Sequence, residues 1–368
     1  MNKRLHYYDM LKGIAILLVV MGHVIALGIR EIDSAFLFKV IGCVHMPLFF
    51  FVSGWFSCRI NHDNGVLRAP SLYKRFLQLI VPLVVVSSLW VWYFPHSGLE
   101  CPFGSTFADL WHDETKNGYW FTLCLFEISL VFAAVLPLFR KSRSLIADIV
   151  IAIVIWVVLQ GVSIVMNAYP LVRQTLELDL ISRYWVPFII GFLASRHREV
   201  FNKLICSPAM LTVAMLLLVP TLYYECYYWE FEWLVSKCPW VPYLNKNVMY
   251  ICLAIVAVAL VKPWGERAYS SEASLLTRRI ADFWCLLGRK SLAIYLLHYF
   301  FLFPMGSVRP ALEALNLAFV PAGVFAFVVA ICIIGAVLIV EAIIEKSPLL
   351  SLLLTGNIPN KLRWKRNA

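Results

Sequence analysis

The chain has 368 residues, 61% of them hydrophobic and only 15% charged, with a mean hydropathy of +0.77. Soluble domains sit nearer about 45–50% apolar and about 25% charged, so the composition excludes a soluble globular protein and indicates a polytopic membrane protein. The net charge of +10 does not point to nucleic acid, because the basic residues fall in short connections between apolar runs, where they act as a topology signal.

Hydropathy predicts an all-α, polytopic transmembrane bundle of about ten spans, at roughly 9–29, 35–57, 72–94, 119–139, 144–166, 180–195, 205–224, 247–263, 283–304 and 318–344. The first run is expected to be retained as a helix, since ionisable residues interrupt it and no small-residue cleavage site follows. The sixth is short and holds Pro187 and Gly191, which predicts a broken or tilted helix. In the ninth, Gly288-Arg289-Lys290 places the start of the apolar part at Ser291. One membrane domain over 1–346 and a short basic tail over 347–368 are expected, with no internal repeat.

Basic residues alternate between connections. One set holds Arg59, Arg68, Lys74, Arg75, Arg140, Lys141, Arg143, Arg196, Arg198 and Lys203, and the other set holds few. The positive-inside rule then puts both termini in the cytoplasm, as an even span count requires. Cys226 and Cys238 fall in a connection on the outer side, where a disulfide is permitted. The same connection is rich in Tyr and Trp, from Tyr224 to Tyr243. It reads either as an aromatic belt at the headgroups or as stacking faces for a sugar.

Span one carries Asp9, Lys12 and His23. Ionisable groups are costly in hydrocarbon and usually mark a function. Lys12 and His23 are separated by about three helical turns plus roughly 20°, with a rise of about 16 Å, so they share one stripe. Asp9 lies close to the same face, and Asp9 and Lys12 are expected near the cytoplasmic mouth. Arg68, Lys74 and Arg75 precede span three, and such residues suit the phosphates of a nucleotide. Trp120 and Glu127 lie in span four, where Glu127 is expected to pair with a histidine or a basic residue.

His45 in span two and His298 in span nine lie at a depth similar to that of His23. Three histidines on three helices suit proton transfer, because an unperturbed imidazole accepts a proton from a hydroxyl near neutral pH. No carboxylate or cysteine accompanies them at metal spacing, so no metal is expected. Glycine-rich nucleotide loops, nucleophile elbows and zinc motifs are absent from the sequence.

Three stretches carry a family resemblance. They are Asp9-Met10-Leu11-Lys12-Gly13-Ile14-Ala15 followed by Val20-Met21-Gly22-His23; His45-Met46-Pro47-Leu48-Phe49-Phe50-Phe51-Val52-Ser53-Gly54; and Leu287-Gly288-Arg289-Lys290-Ser291-Leu292-Ala293-Ile294-Tyr295-Leu296-Leu297-His298. Through them the chain resembles the acyltransferase 3 family of integral membrane O-acyltransferases, closest to the branch described as fucose 4-O-acetylase-like. Trp120-Phe121 is similar to a weaker family signature.

The resemblance implies transfer of an acyl group, usually acetyl, from cytoplasmic acetyl-CoA to a sugar hydroxyl on a glycan or lipid-linked acceptor, in the cytoplasmic (inner) membrane among its lipids. It implies His23 as general base; His45, at a patterned position, and Asp9, on the same stripe as Lys12, are placed beside it as further catalytic candidates. Lys12 stands where the family more often has arginine, and is implied as a partner of the acyl donor; Arg75, Lys74 and Arg68 join it as donor candidates on their charge. His298, Glu127 and Trp120 are assigned to the acceptor. Direct attack on the thioester and a covalent acyl-protein intermediate both remain open, the first needing fewer assumptions. The competing expectation is a proton-coupled transporter or exporter, since intramembrane His, Lys and Asp serve carriers too.

Overall fold

Hydrocarbon offers no hydrogen-bond partner to a backbone N–H or C=O, so apolar runs of this length close their own bonds as helices. In the computed structural model the residues described are 5–29, 36–60, 67–69, 71–96, 107–113, 116–142, 144–315 and 320–358. The helices in chain order are α1 (His6–His23), continued by a π-helical stretch Val24–Ile29, α2 (Phe36–Trp55), α3 (Leu72–Tyr93), α4 (Phe107–His112), α5 (Trp120–Lys141), α6 (Leu145–Val165), α7 (Pro170–Thr175), α8 (Leu178–Arg196) and α9 (Arg198–Cys206). They continue with α10 (Pro208–Cys226), α11 (Glu232–Lys237), α12 (Val241–Ala268), α13 (Leu275–Arg289), α14 (Ser291–Leu297), α15 (Arg309–Ala314), α16 (Val320–Ile344) and α17 (Pro348–Thr355). A two-residue hairpin pairs Arg59 with Arg68 and Ile60 with Leu67 between α2 and α3.

Among the described residues, nine helices are long and apolar enough to cross a membrane, and a bent pair makes a tenth if it counts as one span. That pair is Ser291–Phe301 with Gly306–Leu312, bent by 79°. It stands where the ninth span is expected. Pro304 lies at the bend, lacks an N–H and restricts Phe303, which ends the helix. At the other end Lys290 is tied to Glu341 and Glu345, each at 2.6 Å, so the charged Gly288-Arg289-Lys290 break lies outside the apolar stretch.

Of the two expected alternatives, a broken or a tilted sixth span, the break is not found: α8 runs continuously through Pro187 and Gly191. Gly191 is a packing residue. A Cβ there would lie 1.9 Å from the Phe51 carbonyl oxygen, and one on Gly54 would lie 1.8 Å from that of Phe188. The two glycines let the backbones of α2 and α8 touch where they cross. Gly13 and Gly288 do the same for α1 and α13, with Cβ positions 2.2 Å from the Trp284 oxygen and 1.8 Å from the Asp9 oxygen. α1 is thereby held at the centre of the bundle, with α2, α12, α13, α14 and α16 packed on it.

The end of the bundle at which α1 begins is pinned by Arg196. Its Nη1 and Nη2 donate to the carbonyls of Phe139 and Ser142, each at 2.7 Å, and its Nε lies 3.1 Å from the buried Asp148. The first part of the expected tail is helical: α17 packs on α3, and residues 359–368 lie outside the described residues. Cys226 and Cys238 are both free thiols, so the disulfide that their connection permits is not formed. Cys226, the last residue of α10, is turned into the bundle toward Cys43 of α2 and away from Cys238 beyond α11. The expected basic positions Arg143, Lys361, Arg363, Lys365 and Arg366 also lie outside the described residues.

Candidate active site

α1 delivers His23 at its last α-helical position, just before the helix widens into the π-helical stretch. Such stretches are often found at functional sites. His298 and Tyr299 arrive from the end of α14, and both are fully or almost fully buried. The His298 Nε2 lies 2.9 Å from the His23 Nδ1, and the Tyr299 hydroxyl lies 2.8 Å from the His23 Nε2. The His298 Nδ1 in turn donates to the carbonyls of Tyr295 at 2.8 Å and Ile294 at 3.0 Å. Three rings thus form one hydrogen-bonded chain that ends on backbone.

The chain is moored to the start of α5. The Tyr295 hydroxyl donates to the Gly118 carbonyl at 2.6 Å and accepts from the Phe121 N–H at 3.2 Å. The Tyr119 hydroxyl donates to the Leu296 carbonyl at 3.1 Å. Gly118 has φ +91, and a Cβ on it would lie 1.6 Å from the Tyr299 hydroxyl oxygen, so only glycine fits there. His45 lies within electrostatic reach of His23, and its own Nδ1 is held by the Ile41 carbonyl one turn back on α2. The structure therefore brings His23 and His298 into direct contact, with His45 on α2, which packs against α1.

Lys12 and Asp9 open into a cavity of 1080 Å³ at the end of the bundle where α1 begins. Lys12 Nζ lies 3.1 Å from an Asp9 carboxylate oxygen. Arg59, Arg198, His6, Glu266, Tyr269 and Cys58 share the lining. Basic side chains outnumber carboxylates, which suits an anionic ligand, and the volume is at the upper end for ligand pockets. Burial pushes the Cys58 thiol up to about 11, so it stays protonated near neutral pH and is a poor nucleophile.

The remaining predicted residues are dispersed. Arg75 lines a separate small cleft between α3, α5 and α8 with Ser129 and Phe188. Lys74 and Arg68 are exposed, although Arg68 pairs through the hairpin with Arg59 of the large cavity. Glu127 keeps one buried carboxylate oxygen without a hydrogen-bond partner among the described residues. Trp120 stacks on Tyr184 at 5.0 Å, which in turn stacks on Phe50 at 4.6 Å.

Sequence reasoning missed Tyr299, Tyr295, Arg59 and Arg198. Adjacency to His298 was a signal for Tyr299. The arginines carried only a topology signal, because their cavity is assembled from α1, α2, α8, α9 and α12. Among the described residues, no group of three or more His, Cys, Asp or Glu is arranged to hold a metal ion.

The acyltransferase 3 family model, described as an acyltransferase domain, matches residues 5–340. Nodulation protein NolL of Mesorhizobium japonicum is 30% identical over 206 residues, covering 52% of this chain and 48% of its own. Nodulation protein NolL of Sinorhizobium fredii is 29% identical over 210 residues, covering 54% of this chain and 50% of its own. The aligned regions thus cover about half the length of each of these relatives. No solved structure matches the chain.

Proposed function

The chain belongs to the acyltransferase 3 family, and we propose that it is an integral membrane O-acyltransferase moving an acetyl group from acetyl-CoA to a sugar hydroxyl of an envelope or exported glycan. One observation carries this reading. A single helix, α1, joins Lys12 in a basic cavity at one end of the bundle to His23, hydrogen-bonded deep within it. In this reading the cavity faces the cytoplasm, both termini lie on that side, and the membrane is the cytoplasmic one. Lys12, Arg59 and Arg198 receive the phosphates of the donor. The pantetheine arm, an extended flexible chain, covers the rise of about 16 Å to His23.

At His23 the acceptor hydroxyl gives its proton to the imidazole as its oxygen attacks the thioester carbonyl. The carbon–sulfur bond then breaks and the thiolate takes the proton. Direct transfer is preferred, because Cys58, the thiol in the cavity lining, is held protonated. Trp120 stacked on Tyr184 supports a face for a sugar ring, and Glu127 offers it a carboxylate. Asp9 is assigned to orienting Lys12. His45 supports His23 from α2, while Arg75, Lys74 and Arg68 add to the positive field at the donor end.

The reading is tested by incubating membranes containing the chain with labelled acetyl-CoA and a cell-glycan extract. Base-labile label on the glycan, with stoichiometric free thiol, is expected. Glycan or metabolite flux across the membrane with no consumption of acetyl-CoA would replace it with the transporter.

A further inference from the structure

We infer that His298 is a positioning residue, and not a substrate contact: it holds His23 in the tautomer whose basic nitrogen is Nε2 and aims that nitrogen at a hydroxyl. The inference rests on the reading of His23 as the general base. It is carried by the direction of the hydrogen bonds. Backbone carbonyls only accept, so the His298 Nδ1, at 2.8 Å from the Tyr295 oxygen and 3.0 Å from that of Ile294, must carry a proton. A neutral His298 then presents a lone pair at Nε2. The His23 Nδ1, 2.9 Å away, must supply the hydrogen between them. That leaves the His23 Nε2 unprotonated, and the Tyr299 hydroxyl at 2.8 Å donates to it. Each assignment follows from the one before, and the first is set by backbone that neither titrates nor rotates.

Burial supports the same role. His298 is 0% exposed, and both of its ring nitrogens are already used, so no atom of it is left for an acceptor sugar. The turn that carries it is fixed by the Tyr295 hydroxyl on the Gly118 carbonyl and the Tyr119 hydroxyl on the Leu296 carbonyl, which sets the ring to a narrow range of positions. The Tyr299 hydroxyl marks where an acceptor hydroxyl must stand. When one displaces it, the acceptor oxygen bonds to the thioester carbon and its proton passes to Nε2. The imidazolium formed keeps its Nδ1–H on the His298 lone pair, as the base of a catalytic triad keeps its own on a fixed acceptor.

The test compares His298→Gln with His298→Met. Both fill much of the ring's volume. Glutamine reproduces the polarity, donating to the backbone carbonyl and accepting from the His23 Nδ1–H. Methionine does not. Each is measured beside wild type and His23→Ala in detergent, after gel filtration to count only folded protein, with acetyl-CoA and a cell-glycan extract varied in turn. His298→Met should lower kcat by about 10²-fold while half-saturating acetyl-CoA and glycan concentrations stay within about twofold. His298→Gln should recover at least about tenfold of that loss. A raised half-saturating glycan concentration with unchanged kcat would make His298 a substrate contact and overturn the inference. Equal losses in the Gln and Met variants would overturn it too. Full activity in His23→Ala would instead remove the reading beneath it.

Discussion

The imidazoles of His23 and His298 lie 275 residues apart in the chain and 2.9 Å apart in space, joining α1 to the end of α14. Their rings are inclined by 25°, with Tyr299 closing the other side of His23. We read His23 as the reacting base and His298 as the group that holds it, and the consequences are specific.

Gly118→Ala should cost activity well before it costs the fold. The added methyl would lie 1.6 Å from the Tyr299 hydroxyl oxygen, at a backbone φ of +91. Tyr299 must shift and draw the adjacent His298 from its place on His23, and the strained backbone adds about 1 kcal/mol or more. We expect acetyl transfer to fall by at least about tenfold while the protein still elutes as a folded species on gel filtration. Unchanged transfer would separate Tyr299 from the site.

Lys12→Ala should raise the half-saturating acetyl-CoA concentration by about tenfold, the loss of one charge-assisted contact. Lys12→Arg should stay close to wild type, since the cavity that Lys12 lines is wide enough for the fork. The glycan concentration dependence should not move in either variant. A change in glycan dependence alone would place Lys12 on the acceptor.

Gly288→Ala should destabilise the protein by about 1–3 kcal/mol, since its Cβ would meet the Asp9 carbonyl oxygen at 1.8 Å and force α13 away from α1. Thermal unfolding in detergent reads this directly. Gly335→Ala, where a Cβ would meet nothing within 4 Å, is the control and should leave the transition in place.

Lys290→Met should destabilise by about 3 kcal/mol, because Glu341 is 2% exposed and would be left without the ammonium now at 2.6 Å. The same ion group sets a pH response. The hydrogen bond from Lys290 holds the Glu345 carboxyl below its ordinary value. Its contribution to stability is therefore present above the usual carboxylate range and fades as pH falls through its depressed pKa. The effect is small, since Glu345 is 43% exposed. Acid unfolding of wild type and Glu345→Gln should converge at low pH and differ slightly near neutrality. A larger difference at low pH would contradict the sign.

Much of the fold was legible because hydrocarbon imposes one solution on long apolar runs, and α1, α2, α3, α5 and α16 stand close to where hydropathy put them. Pro187 and Gly191 do not break α8, because residues that break helices in water also let helices touch in a membrane. At Gly191 packing against Phe51 is the reason for the residue. The histidines were legible one at a time, as costly groups in apolar runs. Their hydrogen bonds were not, because the contact between α1 and α14 depends on tertiary packing that no local periodicity encodes. Arg59 and Arg198 were hidden for a related reason: a charge in a connection reads as topology until folding sets it beside Lys12.

The central claim is that His23 takes the proton of the acceptor hydroxyl. The most direct measurement is glycan-dependent thiol release from acetyl-CoA by folded wild type and His23→Ala at saturating concentrations of both substrates. We expect a fall in kcat of about 10²–10⁴-fold in the variant, with acetyl-CoA still bound. Glycan-dependent release at the wild-type rate in His23→Ala would contradict it and move the base to another residue.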